Sequence, residues 1–422
     1  MSDKLGILTK KVFWPYVTQE DKKAVMNVLE RGILFGHTEA DGRVFAPETD
    51  SLQKEYADYI GVTYCLAVNS GTAALHIALA GCGIGPGDEV ITSAFSYVAT
   101  PMAILHAHAI PVFVDIDINT HNIDVSKIEE KITSRTRAIM PVHMNGLPCD
   151  MDAITEIAKR HNLFVIEDAA QAGGSFYKDK RAGSIGHAAG FSLNGTKNFS
   201  VGEGGLFVTS DFNIYERAKA VATMAVGTDE IFDQDYSDKR FWHLIGYNYK
   251  VQELTSALAR SRLRSLDAVN DCGVSNAAVL DRILGDIPEV VIQKIPLGYT
   301  STYYKYRFWI NLPQAGIKLR DAVFQALRAE DVDVTMWQRD PLPALPAFQL
   351  KRGYGYSCPW VHGRKQNYSI KDYPATQKLL DTSIIVCSES YPIFCQPPEV
   401  VEYYGLAIKR VFENIDEILN RL

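Results

Sequence analysis

The 422-residue sequence has no Cys-x-x-Cys pair, and its seven cysteines (Cys65, Cys82, Cys149, Cys272, Cys358, Cys387 and Cys395) are dispersed. An odd, scattered set argues against a structural zinc site and a disulfide framework, and reads as thiols in a reducing compartment. No apolar stretch reaches about 18 residues without polar interruption. The first twenty residues alternate charged and apolar side chains, so neither a membrane span nor a secretion signal is expected. A basic stripe is missing as well: lysine and arginine are scattered through a chain of net charge -7, which argues against nucleic acid as a partner. Low-complexity tracts and internal repeats do not occur. These absences leave a cytoplasmic globular protein, expected to hold no metal and to touch neither membrane nor nucleic acid.

What is present is ample core material, 47% hydrophobic residues in a chain too long for one typical core. Between residues 60 and 210 short apolar strands alternate with helical stretches, with strands expected at Glu89 to Ser93, Pro111 to Asp115, Ala138 to Val142, Leu163 to Asp168, Ala189 to Leu193 and Leu206 to Thr209. That rhythm predicts an α/β fold with a mostly parallel sheet covered on both faces. One long helix, about Val251 to Leu280, leads toward a smaller C-terminal α+β domain with a strand at Tyr303 to Asn311 and a helix at Asp321 to Ala329. The expected division is 1–265 and 266–422. Residues 337–374, rich in Pro, Tyr, Trp and Gly, read either as a lid or binding loop or as a tolerated surface insertion.

Chemistry concentrates in Phe191-Ser192-Leu193-Asn194-Gly195-Thr196-Lys197-Asn198-Phe199-Ser200-Val201-Gly202-Glu203-Gly204-Gly205, an isolated lysine in a glycine- and hydroxyl-rich turn. An amine that forms a Schiff base needs a defined approach and surroundings that lower its pKa, and Lys197 has that setting if the other candidates converge on it. Asn69-Ser70-Gly71-Thr72 precedes a helix, where free amides, close backbone approach at Gly71 and the Thr72 hydroxyl suit a phosphate, although an ordinary cap has the same pattern. The apolar strand ending in Glu167-Asp168 places Asp168 where an unpaired carboxylate is costly. It wants a cationic partner such as a protonated pyridine nitrogen, or it caps the next helix. Tyr97 follows another strand end and suits a planar heterocycle or core packing. Ser192 offers a second phosphate hydroxyl, and His143, closing a strand, is a site-lining candidate or a structural histidine.

Taken together these motifs resemble the DegT/DnrJ/EryC1/StrS family of pyridoxal-phosphate-dependent sugar aminotransferases, within the fold type I aspartate aminotransferase superfamily. The resemblance runs from Val28-Leu29-Glu30-Arg31-Gly32 and Gly36 through Asn69-Ser70-Gly71-Thr72, Gly85-Pro86-Gly87-Asp88-Glu89-Val90-Ile91, Pro141-Val142-His143, Glu167-Asp168-Ala169-Ala170-Gln171 and Lys197 to Gly246-Tyr247-Asn248-Tyr249. It implies pyridoxal 5'-phosphate in Schiff-base linkage to Lys197, with Asp168 on the pyridine nitrogen, Gln171 near the phenolic oxygen and Tyr97 stacked on the ring. Gly71, Thr72 and Ser192 hold the phosphate, joined by Asn248 from the neighbouring subunit, which implies a homodimer with composite sites.

The same resemblance implies a two-stage transamination from glutamate or glutamine to a keto-sugar, nucleotide-linked in the commonest case, in amino-sugar or natural-product biosynthesis. A keto-cyclitol or a free keto-sugar is the alternative acceptor. Related sugar dehydratases carry histidine at the lysine position, so Lys197 argues against that activity. Regulatory relatives append a DNA-binding helix-turn-helix, for which the residues before Val28 leave no room. Two positions depart from the pattern. Lys250 stands where arginine is usual, keeping charge but losing bidentate geometry. Met144-Asn145 after His143 is nearer cyclitol and aminohydroxybenzoate relatives than nucleotide-sugar ones. Lys250, Arg240, Arg339, Lys351 and Arg352 are the basic residues available to a nucleotide diphosphate, with His143 and Lys250 the substrate-binding candidates.

Overall fold

A computed structural model describes residues 6–38, 44–224, 244–363 and 366–422. After helices α1 (Gln19–Arg31) and α2 (Pro47–Ile60), the chain alternates strand and helix through β1 (Tyr64–Val68), α3 (Gly71–Gly81), β2 (Glu89–Ser93), α4 (Ala99–His106) and β3 (Ile110–Val114). It continues through β4 (Thr136–Met140), α5 (Met151–His161), β5 (Phe164–Asp168), β6 (Ala188–Ser192), β7 (Gly205–Thr209) and α6 (Phe212–Ala222). The seven strands form one sheet in the order β1-β7-β6-β5-β4-β2-β3. All neighbours are parallel except at β7, which runs against both β1 and β6. Both faces are covered, which is why the strands are nearly continuous apolar runs and not alternating ones. The expected strands match within about two residues. β1 was not among them, because Tyr64-Cys65-Leu66-Ala67-Val68 is short and flanked by helix.

Helix α7 (Glu253–Leu263) packs on α2 and the large sheet. After α8 (Leu266–Leu284) the C-terminal part builds a four-stranded antiparallel sheet of β8 (Val290–Ile292), β9 (Tyr306–Ile310), β10 (Val334–Thr335) and β11 (Ser383–Val386) in the order β8-β9-β11-β10. Alternation along β9 sends Tyr306, Phe308 and Ile310 into a core with α8, α9 (Ile317–Ala329) and α11 (Pro398–Glu413). Trp309 points the other way, against Phe95 and the short helix α10 (Pro374–Thr382).

One expectation is corrected. The single helix expected over 251–280 is two, broken at Arg264 and Ser265. There the Ser265 backbone N–H and side-chain hydroxyl both donate to the Arg262 carbonyl, at 3.1 Å each, a local alternative to the helical ladder. Arg262 itself is drawn inward to the Tyr16 and Ser200 carbonyls. Residues 337–374, read as a lid or binding loop or as a surface insertion, pack down on the large sheet in their described part. Phe348, Trp360, Tyr368 and Tyr373 bury against Phe113, and the Tyr368 hydroxyl donates to the Pro111 carbonyl at 2.9 Å, so the segment covers the edge strand β3.

The turn between β1 and α3 depends on missing side chains. A Cβ on Gly205 would lie 2.2 Å from the Ser70 carbonyl oxygen, and one on Gly71 would lie 2.8 Å from the Ser192 Cβ. Backbone cannot yield to such contacts cheaply. Gly205→Ala is therefore expected to lower stability by about 1–3 kcal/mol, measured by urea unfolding, and to shift the Ser70 cap. An unchanged unfolding midpoint would contradict this packing.

Candidate active site

The carboxyl ends of β1, β2, β5 and β6 meet over a cavity of about 300 Å³, the position where open α/β sheets bind ligands. Its wall includes Gly71, Thr72, Tyr97, Thr100, Asp168, Gln171, Ser192 and Lys197. Seven residues expected from the sequence are thus brought together: Gly71, Thr72, Tyr97, Asp168, Gln171, Ser192 and Lys197.

Each is placed by a local cause. Ser70 caps α3 by accepting the Ala73 N–H at 3.1 Å, which leaves the Gly71 and Thr72 amides directed past the helix end. Ser192 closes β6 beside them and accepts the Asn194 N–H at 3.3 Å. The lysine turn is held by Asn194, whose side chain accepts the Thr196 N–H and hydroxyl at 3.1 and 3.0 Å and donates to Glu203 at 2.8 Å. From outside the turn the Trp14 indole N–H donates to the Lys197 carbonyl at 3.1 Å.

Asp168 is buried at the end of β5, accepting the Thr100 hydroxyl at 2.6 Å and the Ala170 N–H at 3.2 Å. Burial raises its pKa, against the Thr100 and Ala170 hydrogen bonds and the charges of Lys197 and His143. No ion pair to Asp168 occurs among the described residues. Desolvation brings the Lys197 amine down to about 8, with the carboxylates of Asp168 and Glu389 acting in the opposite direction. Its Nζ lies 3.9 Å from the centroid of the Tyr304 ring.

The neighbouring acid has a different fate. Glu167 points to the other side of β5 and accepts N–H groups from Gly183, Ile185 and Gly186, at 2.7, 2.8 and 2.6 Å. His143 pairs with it at 2.9 Å, both side chains fully buried. The His143 Nδ1 accepts the Cys149 N–H at 3.1 Å, which assigns the ring proton to Nε2. Burial alone would raise the Glu167 pKa, but His143 and the amides outweigh it and the carboxyl stays below its usual value. His143 was expected to line the site; the structure places it behind the sheet's end, as Glu167's partner and not on the cavity wall. Met144 and Asn145 are buried too, the Asn145 N–H donating to Gln171 Oε1 at 3.0 Å, so they orient Gln171 from behind.

Asn248 and Lys250 are exposed and stand off this wall. Arg339, Lys351 and Arg352 do not line it either, and Arg240 lies outside the described residues. Among the wall residues to which the sequence reading gave no role are Thr100, Tyr304, Trp337 and Glu389. Trp337 stacks nearly parallel to Tyr97, 7° between planes and 6.0 Å between centroids. The aromatic content of 337–374 was the one available signal.

Residues 18–362 match the DegT/DnrJ/EryC1/StrS aminotransferase family. The chain belongs to that family. GDP-perosamine synthase of Caulobacter vibrioides is 37% identical over 288 residues, 67% of this chain and 73% of the relative. L-glutamine:scyllo-inosose aminotransferase of Streptomyces griseus is 30% identical over 419 residues, 96% of this chain and 95% of the relative. The solved structure of S. venezuelae DesV in complex with ketimine intermediate is 28% identical, covers 94% of each chain and has a TM-score of 0.77. As a member of the DegT/DnrJ/EryC1/StrS family, which depends on pyridoxal phosphate, the chain is an aminotransferase.

The cavity's donor set fits that cofactor. A buried carboxylate without a cation faces the place for a ring nitrogen, and two hydroxyls with two helix-end amides form a cradle that a Cβ at Gly71 would fill. Among the described residues no helix is long and apolar enough to cross a membrane, and no cluster of ligands for a metal ion occurs.

In the cofactor-free protein, Lys197 should react with an amine-selective acylating reagent with half-maximal rate near pH 8. Below that pH the ammonium is protonated and inert; above it the amine is free. Exposed lysines should titrate near ~10.4. Mass-spectrometric labelling across pH checks this, and a Lys197 profile matching the surface lysines would refute it.

Proposed function

We propose that the cavity holds pyridoxal 5'-phosphate, and that the protein transfers an amino group from glutamate or glutamine to a keto-ring, a keto-sugar or keto-cyclitol. The observation that carries this reading is the desolvated Lys197 amine sharing one wall with the cation-hungry Asp168 and the Gly71, Thr72 and Ser192 cradle. When bound, the cofactor supplies an aldehyde for the amino group and a ring that stores the electron pair left on the donor carbon.

The chain's own residues do the rest. Asp168, fixed by Thr100 and Ala170, keeps a proton on the ring nitrogen. Gly71, Thr72 and Ser192 bind the phosphate, and Tyr97 covers the ring face. Gln171 has its Oε1 occupied by the Asn145 N–H and one Nε2 hydrogen on Met144 Sδ at 3.6 Å, which leaves the second Nε2 hydrogen as a donor toward the ring oxygen. Lys197 takes a proton from the donor carbon in the first stage and returns one on the acceptor side in the second.

The acceptor has two readings. GDP-perosamine synthase bears a nucleotide-linked amino sugar in its name, whereas the Streptomyces griseus relative is named for scyllo-inosose. Lys197 is the cation that one chain places on the wall among the described residues, so a nucleotide diphosphate would draw its basic contacts from beyond this wall, as the partner's Lys250 would supply in a composite site. Asn248 and Lys250, exposed in one chain, are read as contributions to the partner's site in a homodimer. The division near residue 265 is read as a domain boundary, and the protein as cytoplasmic.

Glutamate or glutamine added to the purified protein should move an absorbance band near ~420 nm toward ~330 nm, and Lys197→Ala should abolish turnover. A variant with full turnover would sink the assignment. The composite site has its own check: mixing Lys197→Ala with Asn248→Ala subunits should restore about a quarter of wild-type activity, since half the dimers would carry one intact site of two. A mixture no more active than its components would place Asn248 in its own chain's site.

A further inference from the structure

Glu389 stands on the cavity wall with Tyr304 and Lys197, an acid where the donor is itself an anion. One of its carboxylate oxygens, Oε1, is held by Lys305 Nζ at 3.2 Å, and Oε2 has no hydrogen-bond partner among the described residues. The side chain is 47% exposed, whereas that of Lys305 is only 5% exposed. The ammonium is therefore committed to this carboxylate, while the carboxylate keeps one oxygen open to the cavity. Both Lys197 and Lys305 lie against the ring of Tyr304, with Nζ 3.9 and 4.9 Å from its centroid. Glu389 and the reactive amine thus line the same cavity, with Tyr304 between Lys197 and Lys305, close enough for the carboxylate to act on the amine's charge.

The backbone carrying it is fixed on both sides. The Cys387 N–H donates to the Asp333 carbonyl at 2.7 Å, the Ser388 hydroxyl to the Asp333 carboxylate at 2.7 Å, and the Trp14 N–H to the Ser390 carbonyl at 2.9 Å. A carboxylate held this firmly with a free oxygen is an acceptor for a ligand hydroxyl, and hydrogen bonds to charged groups are the stronger ones. It does not suit the carboxylates of glutamate or glutamine, which it repels, nor a phosphate, because Lys305 has no charge to spare.

We propose that Glu389 recognises the acceptor by accepting a hydrogen bond from the hydroxyl on the ring carbon next to the reacting carbonyl. The substrate class is then a keto-ring that is hydroxylated, not deoxygenated, at that position, and Lys305 is the residue that orients the carboxylate. This rests on the amino-transfer reading above and adds the chemical feature that selects among its acceptors.

The test follows the two half-reactions separately by the cofactor's absorbance in wild type, Glu389→Gln and Glu389→Ala. Each hydroxylated ketone is paired with the analogue lacking the neighbouring hydroxyl, beginning with scyllo-inosose and 2-deoxy-scyllo-inosose and extending to nucleotide-linked keto-hexoses. Wild type should prefer the hydroxylated member by about ten- to a hundredfold in kcat/KM. Glu389→Ala should lose most of that preference, and its acceptor step should fall by a larger factor than its donor step. Glu389→Gln, whose amide oxygen still accepts, should retain part of it. An unchanged preference in Glu389→Ala, or equal losses in both half-reactions, overturns the proposal. A wild type that reacts with the amino donor but with no keto-ring overturns the acceptor reading itself, and this proposal with it.

Discussion

A carboxylate buried without a cation is the constraint around which the rest is arranged. Asp168 lies at the end of a parallel strand, inside apolar walls, and has one hydroxyl and one amide for support. A charge so placed is costly unless it is neutralised, and among the described residues no cation forms an ion pair with it. Asp168 and Lys197 face one cavity, each charge destabilised by burial, and the cofactor proposed above, with a cationic ring nitrogen and an aldehyde, would relieve both. Binding energy and folding strain are thus two views of one arrangement, as is usual where a fold stores an unfavourable feature at its site.

The period of two along β5 is what allows this. Glu167 and Asp168 are consecutive, yet they face opposite sides of the sheet. Glu167 receives three amides and an imidazole and belongs entirely to the scaffold. Asp168 receives less than it needs and belongs to the ligand. A single strand end therefore supplies a structural anchor and a chemical group without either disturbing the other.

Much of the site was legible in the sequence because its parts are local motifs. A glycine-rich lysine turn, a capped helix start and an acid at a strand end each announce a backbone geometry. The strands of the large sheet were equally legible, since burial on both faces makes them apolar throughout. Other features depend on distant partners. His143 carries no mark that distinguishes a site residue from one paired with Glu167. Tyr304, Trp337 and Glu389 reach the cavity from the antiparallel sheet and its connections, across more than a hundred residues of chain from Lys197 in the nearest case. The helix break at Ser265 follows from Arg262 turning inward to the Tyr16 and Ser200 carbonyls, contacts that periodicity does not contain. Asn248 is exposed in a single chain, so the role proposed for it in a partner's site leaves no trace there.

Trp14 touches both halves of this arrangement. Its indole N–H holds the Lys197 carbonyl and its backbone N–H holds the Ser390 carbonyl, while the ring packs on Phe394 and Tyr304. Three stretches remote in sequence meet at one indole. Trp14 and Ser390 lie almost a whole chain apart, yet both converge on the turn that carries the reactive amine. A disturbance at this indole would therefore reach the lysine turn and the segment carrying Glu389 together, so the two walls of the cavity are mechanically one unit.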